Sequence, residues 1–474
     1  MKILFVEPPK QFWFVMGEYL PPPFGILQLA AYLEIQDQSL DIKVLDCQAE
    51  RIDWAGLENK ITSFQPDVVA PSSLTTNNAF SVLRTIETAK KVNVDITTIV
   101  GGQHFTATAQ ESLETYPEID IIVRGEGEKT LAEVIQALNR TSSMSSVKGI
   151  SFRQNNRIVH TSQRPLIENL DDLPFPGYHF VKEHMKRYHF TMMAGAKTPY
   201  AIIEGSRGCP HRCTYCSQWG FWGGRHRQKS SKRIADEIEY CYNNFGSRFI
   251  WLTDDNFGLG SKTNDLCDEL IQRGINDDIM WFMQVRCDDI LKHKHLLPKL
   301  RKAGNMWILT GLENHNPETL KSFKKNLNPS LAKEAIDLLK QNDILAQAML
   351  IIGERNDSRE SIQALREWIN YVDPDIAIFT ILTPFPGTEL YHIAKENNWI
   401  EDYNWGNYDM VHAIMSTNHL TRREVQEELF KCYRGFYGSM KRRITGIFSP
   451  NIIKRRTYRY LMKQGVLKAL RELF

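Results

Sequence analysis

The sequence predicts an α/β protein in three parts: an N-terminal doubly wound, Rossmann-like domain, a (β/α)6 partial TIM barrel, and a small helical C-terminal region. Three observations lead to this prediction. Short apolar runs alternate with helix-like segments five times in roughly the first 140 residues, and the alternation resumes after residue 198. The last part combines helical stretches with a basic tail. A chain of 474 residues is also too long for one ordinary hydrophobic core.

The first five strand–helix units predict a doubly wound parallel sheet. Ligands of such sheets bind beyond the carboxyl ends of the strands, near the point where the strand order reverses. The candidate strands are Ile3–Val6, Ile42–Leu45, Val68–Ala70, Ile96–Val100 and Ile121–Val123. The helix-like segments lie near Gly25–Leu33, Trp54–Phe64, Asn77–Lys91, Thr106–Thr115 and Lys129–Leu138.

Three loops at that edge of the first sheet are suited to a bulky ligand. One is rich in hydroxyls, and two contain glycines that let backbone approach a ligand closely. No Gly-x-Gly-x-x-Gly follows the first strand, which disfavours a nicotinamide or flavin cofactor. A Rossmann-like sheet that holds nothing is the alternative. The candidate binding residues are Ser72, Ser73, Leu74, Thr75, Thr76, Gly101, Gly102, Gln103, His104, Gly125, Glu126 and Gly127.

A hairpin and an ordered linker are expected between the two large parts. Residues Val147 to His160 are typical of a hairpin, with Asn155-Asn156 at a tight turn. The stretch Thr161–Lys197 is rich in proline, glycine and aromatic residues, which indicates a linker. The predicted divisions are therefore 1–142 for the first domain, 143–197 for the hairpin and linker, 198–395 for the barrel and 396–474 for the C-terminal region.

Six further strands predict a curved, partly closed barrel, whose chemistry sits at the carboxyl ends of its strands. The strands are Pro199–Glu204, Phe249–Thr253, Trp281–Val285, Trp307–Thr310, Ala346–Ile352 and Ile376–Leu382. Helices are expected at Lys232–Asn243, Asn264–Arg273, Lys294–Ala303, Leu331–Gln341 and Ser358–Tyr371. Polar residues follow several of these strands and form a candidate binding rim: Asp254, Asp255, Arg286 and Glu313. For a single acid at a strand end, helix capping is the simpler interpretation.

The loop after the first barrel strand contains three closely spaced cysteines. Three residues separate Cys209 from Cys213, and two separate Cys213 from Cys216. Thiolates at this spacing are suited to an iron–sulfur cluster or to zinc, for which His211 would be the fourth ligand. The other five cysteines are scattered singly, which is typical of buried apolar residues in a reducing cytoplasm and not of a secreted disulfide scaffold.

The cysteine loop, with Tyr215 before its last cysteine, resembles the signature of the radical SAM superfamily. This resemblance implies a 4Fe–4S cluster held by Cys209, Cys213 and Cys216, with S-adenosyl-L-methionine (SAM) bound to its open iron. It further implies that Asp254 and Asp255 meet the SAM amino group. Arg286 and Glu313 match positions that hold the SAM carboxylate and ribose or complete the rim, and the Tyr215 backbone is placed to contact adenine.

Together with the cysteine loop, the first domain resembles the cobalamin-binding domain found upstream of many radical SAM cores. The Gly101–His104 and Gly125–Glu128 loops match positions that line the corrin and its nucleotide tail. The Asp-x-His-x-x-Gly motif that supplies an axial histidine elsewhere is absent. The resemblance thus implies cobalamin without a protein histidine on cobalt, its lower face covered by the Leu74–Thr76 loop. His104 is expected to contact the tail and is disfavoured as an axial ligand.

These resemblances imply methyl transfer from SAM via methylcobalamin to an unactivated carbon of a peptide, a protein or a small molecule. The Cys-Ser-Gln-Trp-x-Phe-Trp sequence that starts at Cys216 resembles the branch of the anaerobic magnesium-protoporphyrin ester cyclase. Ring formation without methyl transfer is therefore the alternative reaction. A non-catalytic cobalamin or iron–sulfur sensor is the third hypothesis, which the SAM rim disfavours. A ferredoxin or flavodoxin is expected to supply electrons.

Charge and hydropathy restrict the remaining possibilities. A formal net charge of +2 does not indicate a partner, and nothing resembles a nucleic-acid-binding module. No run of eighteen apolar residues is present, so no membrane-spanning helix is expected and the predicted location is the cytoplasm. The basic tail, from Lys441 to Arg471, is compatible with a membrane surface, an anionic substrate or a protein partner. A solvated helical cap over the barrel is the favoured interpretation.

Overall fold

A computed structural model describes residues 1–9, 19–72, 75–140, 143–155, 157–190 and 198–464. Its first sheet has seven strands in the order β2-β1-β3-β4-β5-β6-β7, of which β1 to β5 are parallel. The last two strands form the predicted hairpin, which pairs antiparallel to β5 and so continues the sheet. The strands are β1 (Lys2–Glu7), β2 (Asp41–Asp46), β3 (Val68–Pro71), β4 (Thr97–Gly101), β5 (Ile121–Val123), β6 (Ile150–Gln154) and β7 (Arg157–His160).

Helices cover both faces of this sheet, because its parallel strands are apolar on both sides. The expected helix over Thr106–Thr115 is divided in two. The Thr108 hydroxyl donates to the carbonyl of His104 (2.9 Å), and the backbone leaves the helical conformation at that residue. The helices are α1 (Phe24–Gln36), α2 (Cys47–Glu50), α3 (Trp54–Phe64), α4 (Ala79–Val92), α5 (Gln103–Ala107), α6 (Ala109–Thr115) and α7 (Gly127–Arg140).

The second sheet has six parallel strands in sequence order, which confirms the predicted partial barrel. Its strands are β8 (Tyr200–Ile203), β9 (Phe249–Leu252), β10 (Met280–Gln284), β11 (Asn305–Glu313), β12 (Leu345–Ile352) and β13 (Ile376–Ile381). Its helices are α8 (Ser217–Phe221), α9 (Ser231–Phe245), α10 (Ser261–Gln272), α11 (Cys287–Lys292), α12 (Leu297–Lys302), α13 (Pro317–Ser322), α14 (Ala332–Gln341), α15 (Arg359–Val372) and α16 (Glu389–Glu396).

Shorter elements complete the chain. Two-residue strands pair antiparallel at Tyr19–Leu20 with His189–Phe190, and at Ser206–Arg207 with Arg227–Gln228. The 3-10 helices lie at Thr76–Asn78, Met144–Ser146, Leu170–Asp172, Tyr178–His184, Lys294–Leu296, Pro329–Leu331 and Trp405–Asn407. The predicted turn residue Asn156 lies outside the described residues. In the described parts of the chain, no helix has the length and apolar character needed to cross a bilayer.

Among the residues described beyond 396, the α-helices are α17 (Arg422–Tyr437), α18 (Met440–Ile447) and α19 (Ile452–Gln464). A capping box between Thr421 and Glu424 starts α17. This helix packs against β13, the last strand of the barrel sheet. There the Tyr433 hydroxyl donates to the Phe379 carbonyl (2.9 Å) and accepts from the Phe379 N–H (3.1 Å). Tyr437 makes the same pair of bonds with Ala377 (2.9 and 3.2 Å).

The first domain and the barrel share one apolar cluster. Phe105 of α5 and Val82 of α4 pack with Leu382, which follows β13, and with Trp405 and Ile414 of the segment beyond the barrel. All but Trp405, at 9% exposure, are almost completely buried. This contact places the carboxyl ends of the first sheet against the edge of the barrel from which the cysteine loop extends.

Candidate active site

The cysteine loop leaves the barrel at β8 and is fixed by the two-residue strand Ser206–Arg207. Its glycine at position 208 has a φ of 86°, and a Cβ there would overlap the carbonyl of Arg225. Only glycine therefore allows the close approach that turns the chain toward the cysteines. Cys209, Cys213 and Cys216 are half-buried free thiols, and the Cys216 N–H donates to the Cys213 carbonyl (3.1 Å).

Burial raises the pKa of all three thiols, that of Cys216 to about 12. A metal that binds here must displace protons, so loading is favoured by higher pH. Within the described ranges, no group of three or more His, Cys, Asp or Glu side chains is arranged to hold a metal ion. A 4Fe–4S cluster takes each cysteine on a different iron, and it does not require three thiols to converge on one ion.

Asp254 and Asp255 follow β9 and lie beside the start of the cysteine loop. The Gly205 N–H donates to Oδ2 of Asp254 (3.2 Å), while Oδ1 is buried with no hydrogen-bond partner among the described residues. Burial raises the pKa of both carboxyl groups to about 7, and the charge of Glu204 adds to this effect. An unpartnered carboxylate oxygen at this depth is suited to receive a cation such as an ammonium group.

The substitution Asp254→Asn is expected to stabilise the cofactor-free protein at high pH. The pKa of Asp254 is about 7 in the folded protein, above its value in the unfolded chain. The contribution of this carboxyl group to stability is therefore fully present below the unfolded pKa and is lost as the pH rises through 7. We expect a gain of roughly 2–4 kcal/mol at pH 8 and little change at pH 4. Urea unfolding of both proteins across this pH range measures the difference. Equal effects at pH 4 and pH 8 would contradict it.

Three residues assigned to the SAM rim meet charged partners. Glu313 ends β11 with a φ of 59°, and its Oε1 accepts from Nζ of Lys325 (2.6 Å). Burial, and then the neighbouring Glu313, raises the pKa of Tyr215 well above its usual value. Arg286 donates to Asp288 (2.9 and 3.0 Å) and to the Asn326 carbonyl (2.9 Å). No local pattern in the sequence indicates the partners Lys325 and Asp288, and the SAM roles of the three rim residues remain predictions.

The Gly101–His104 loop of the first domain contacts the cysteine loop directly. The Gln103 amide Nε2 donates to Oε1 of Gln218 (2.9 Å), and the Ser217 hydroxyl donates to Oε1 of Gln103 (2.9 Å). The same Gln218 oxygen accepts from the Trp222 indole N–H (2.9 Å). Gln103 is thus bonded to the two residues that directly follow Cys216.

The four loop glycines fall into two groups. A Cβ at Gly101 would lie 3.1 Å from the Val123 carbonyl, and one at Gly127 would lie 2.8 Å from Cδ2 of Leu29, so both glycines face atoms of the protein itself. Gly102 and Gly125 instead have φ values of 89° and 72°, and the space beside Gly125 is open for 4 Å. The open side of Gly125 is suited to a ligand that approaches the backbone.

His104 is buried behind the loop at 2% exposure. Its ring lies 4.3 Å from the Trp405 ring, and Nδ1 is 3.3 Å from the Thr76 hydroxyl. Burial lowers its pKa to about 3, so the ring is neutral, and among the described residues Nε2 has no partner. Its contact with a nucleotide tail remains a prediction. Of the predicted hydroxyl-rich loop, Ser72, Thr75 and Thr76 are described, whereas Ser73 and Leu74 lie outside the described residues.

A buried charge cluster, which no local sequence pattern indicates, joins the Gly125–Glu128 loop to the cysteine loop. Arg207 donates to Glu126 (2.8 Å), to Glu128 (2.5 Å) and to Glu204 (2.9 Å), and Arg227 also donates to Glu126 (2.9 Å). The side chains of Arg207, Arg227 and the two loop glutamates are at most 5% exposed. The protein thus satisfies the Glu126 carboxylate, which leaves its backbone for the predicted cobalamin contact.

Family models match the first domain and the barrel separately, and known proteins match both parts along one chain. A family model described as the B12 binding domain matches residues 16–135, and that of the Radical SAM superfamily matches residues 203–369. An uncharacterized methyltransferase of Pyrococcus horikoshii is 30% identical over 460 residues, covering 96% of this chain and 97% of that protein. The anaerobic magnesium-protoporphyrin IX monomethyl ester cyclase of Cereibacter sphaeroides is 31% identical over 420 residues, covering 88% and 67%.

A solved structure shares the whole fold. The radical SAM methyltransferase TsrM of Kitasatospora setae, with cobalamin and a 4Fe–4S cluster bound, covers 100% of this chain and 99% of its own at a TM-score of 0.75 and 16% identity. A B12-binding module followed by a radical SAM core defines a cobalamin-dependent radical SAM enzyme. This chain belongs to that family, and the expected fold class, family and cofactors are confirmed.

The residues present are suited to the three cofactors of this family: a 4Fe–4S cluster, SAM and cobalamin. Three half-buried thiols on one loop are a suitable donor set for the cluster. The unpartnered oxygen of Asp254 is suited to the ammonium group of SAM, and the open backbone at Gly125 allows close approach of a bulky ring system. The assignments of individual residues to SAM and cobalamin remain predictions.

Proposed function

We propose that this enzyme moves a methyl group from SAM, via methylcobalamin, to an unactivated carbon of its substrate. The observation that carries the proposal is the hydrogen-bonded contact of Gln103 with Ser217 and Gln218. It connects the loop assigned to cobalamin with the residues that follow Cys216. Loops in direct contact support a shared cavity, in which one substrate carbon meets both cofactors.

The bound cofactors supply the radical chemistry and the methyl carrier, and the protein supplies position and environment. In this proposal, Cys209, Cys213 and Cys216 hold the cluster, and Asp254 orients SAM through its ammonium group. Arg207 keeps the cysteine loop at a fixed distance from the Gly125–Glu128 loop. The aromatic residues after Cys216, including Trp222 with its bond to Gln218, shield the site from water.

The test is anaerobic turnover of the reconstituted enzyme with SAM that carries a carbon-13 methyl group, a chemical reductant and extract of the cells that make the protein. We expect a labelled product that is heavier by one methyl group. S-adenosylhomocysteine and 5′-deoxyadenosine should form in equal amounts, because one SAM supplies the methyl group and another supplies the radical. Formation of 5′-deoxyadenosine without a labelled product would contradict the proposal.

The variant Gln103→Leu is a useful comparison in the same assay. It removes the bonds to Ser217 and Gln218 and leaves the three cysteines in place. We expect SAM cleavage to continue while the labelled product falls about tenfold or more, because misplaced reactants lose the advantage of orientation. Equal losses of both products would show that Gln103 acts on the cluster half of the site alone.

Ring formation is the second candidate reaction. It is favoured by the 31% identity to the ester cyclase and by the Cys-Ser-Gln-Trp-x-Phe-Trp sequence that starts at Cys216 and resembles the cyclase branch. A cyclase would form 5′-deoxyadenosine without S-adenosylhomocysteine, and its product would gain no carbon. The mass of the product therefore separates the two reactions.

The substrate class and the partners belong to the same proposal. We infer a peptide, a protein side chain or a small molecule as substrate, and protease treatment of the extract before the assay separates these classes. A ferredoxin or flavodoxin is the proposed electron donor, and replacing the chemical reductant with either protein tests it. A reducing cytoplasm is the proposed location, since all eight cysteines are free thiols.

A further inference from the structure

Helix α18 exposes a stripe of large apolar side chains. Met440, Ile444 and Phe448, the residue directly after the helix, are 64%, 53% and 76% exposed. Their spacing of four residues places them on one face. Met462 of α19 is also exposed, so four of the ten most exposed large apolar residues of the described chain lie between 440 and 464. Exposed apolar patches of this kind mark contact surfaces.

The surroundings of the stripe are strongly basic. From Leu429 to Arg471 the sequence has twelve lysines and arginines and no aspartate or glutamate. Some of these cations pair with the barrel: Arg442 lies 2.7 Å from Asp373, and Lys454 is bonded to Asp375. Others are exposed, namely Arg434 at the end of α17, Lys441 of α18, and Arg459 and Lys463 of α19.

Close contacts hold α18 and α19 against the barrel. A Cβ at Gly446 would overlap the ring of Tyr458, so the two helices touch closely at that point. The Tyr458 hydroxyl donates to the Asp375 carbonyl (2.9 Å), and the Asn451 amide donates to the Asp343 carbonyl (3.1 Å). Asp343 and Asp375 precede β12 and β13. The stripe therefore lies at the amino ends of the barrel strands, opposite the edge that carries the cysteine loop.

We propose that α18 and α19 dock this enzyme on an anionic lipid surface. A helix that combines an exposed apolar stripe with flanking cations is the pattern of an interfacial helix, whose apolar side chains insert while its cations meet lipid phosphates. A solvated cap, which the sequence alone favoured, does not account for Phe448 at 76% exposure. Because the stripe is opposite the cysteine loop, docking leaves the cofactor edge facing the aqueous side.

The test is co-sedimentation of the reconstituted holoenzyme with vesicles, because it does not depend on the proposed reaction. We expect binding to vesicles of phosphatidylcholine with phosphatidylglycerol, weaker binding at high salt, and weak binding to phosphatidylcholine alone. The combined variant Met440→Ser, Ile444→Ser and Phe448→Ser should bind the anionic vesicles at least about tenfold more weakly than the wild type. Its SAM cleavage in solution should equal that of the wild type, which shows that the variant is folded.

A matched control removes apolar surface elsewhere. Ile35 and Val94 are 63% and 73% exposed in the first domain, and Ile35→Ser with Val94→Ser should leave vesicle binding unchanged. Absence of binding by the wild type, or equal binding by the stripe variant, overturns the proposal.

Two other occupants of the stripe have their own outcomes. A change from dimer to monomer in the stripe variant would assign the stripe to a contact between two copies of the chain, and it would overturn lipid docking. The same holds if only a chain that ends at Gln464 binds vesicles, because the last ten residues would then cover the stripe.

Discussion

Replacing Cys213 by alanine is expected to abolish SAM cleavage. The variant keeps Cys209 and Cys216, but it removes one of only three thiols on the loop, and the remaining two leave the cluster short of a ligand. We expect iron and sulfide content to fall to background after reconstitution. The formation of 5′-deoxyadenosine should fall at least about a thousandfold, because SAM cleavage requires the complete cluster.

The matched control is Cys267→Ala, which removes a buried thiol of α10, distant in sequence from the cysteine loop. Its cluster content and its rate of SAM cleavage should match those of the wild type. A Cys213→Ala protein that retained a full cluster would show that the assignment of this cysteine is wrong, whatever reaction the enzyme performs.

Replacing Arg207 by methionine is expected to cause the largest loss of stability. The side chain is 5% exposed and bonds to Glu126, Glu128 and Glu204. Its removal leaves the buried Glu128 carboxylate without its hydrogen-bonded counter-charge, whereas Glu126 keeps its pair with Arg227. We expect the free energy of unfolding to fall by about 3–5 kcal/mol. Urea unfolding measures this loss, and the visible absorbance of the purified variant shows whether it still binds cobalamin.

Two further variants separate charge from packing. Arg207→Lys keeps the charge but cannot form all three bonds, so an intermediate stability is expected. Arg225→Gln removes the exposed pair with Glu168 and should leave the unfolding midpoint unchanged. If Arg207→Met unfolded at the wild-type midpoint, the buried cluster would not stabilise the protein.

The same cluster gives the protein a sensitivity to acid. Burial alone would raise the pKa of Glu128, but the charge and hydrogen bond of Arg207 outweigh it, and the pKa lies below its usual value. A lowered folded-state pKa contributes stability above the unfolded value, and this stability is lost as the pH falls through the folded value. Cobalamin retention should therefore decline in acid together with the contact between the two loops.

The sequence was sufficient to predict elements whose residues are apolar at regular intervals. The bounds of α3 and of β5 match the predicted ones, since each is a short run with a clear pattern between turn residues. Helix α11 was missed because it is only six residues long, too short for a helical period to be recognised. The hairpin was predicted, but its pairing with β5 depends on contacts between distant segments.

The candidate site follows the same rule. The cysteines form one local motif, so the sequence alone was sufficient to predict them as cluster ligands. The bonds from Arg207 to Glu126 and Glu128 span 81 and 79 positions, and no local pattern predicts such a pairing. The bond between Gln103 and Gln218 spans 115 positions. The contacts that join the first domain to the cysteine loop therefore depend on how the two sheets pack together, which the sequence does not indicate.

Two tyrosine hydroxyls of α17 cover the outer edge of β13, and this affects whether the protein can associate through that edge in a crowded solution. A partial barrel ends in a strand whose outer backbone groups would otherwise be free to pair with a strand of another molecule. Tyr433 and Tyr437 occupy those groups at Phe379 and Ala377. The β13 edge thereby resists pairing with a strand of another molecule, although the barrel is not closed.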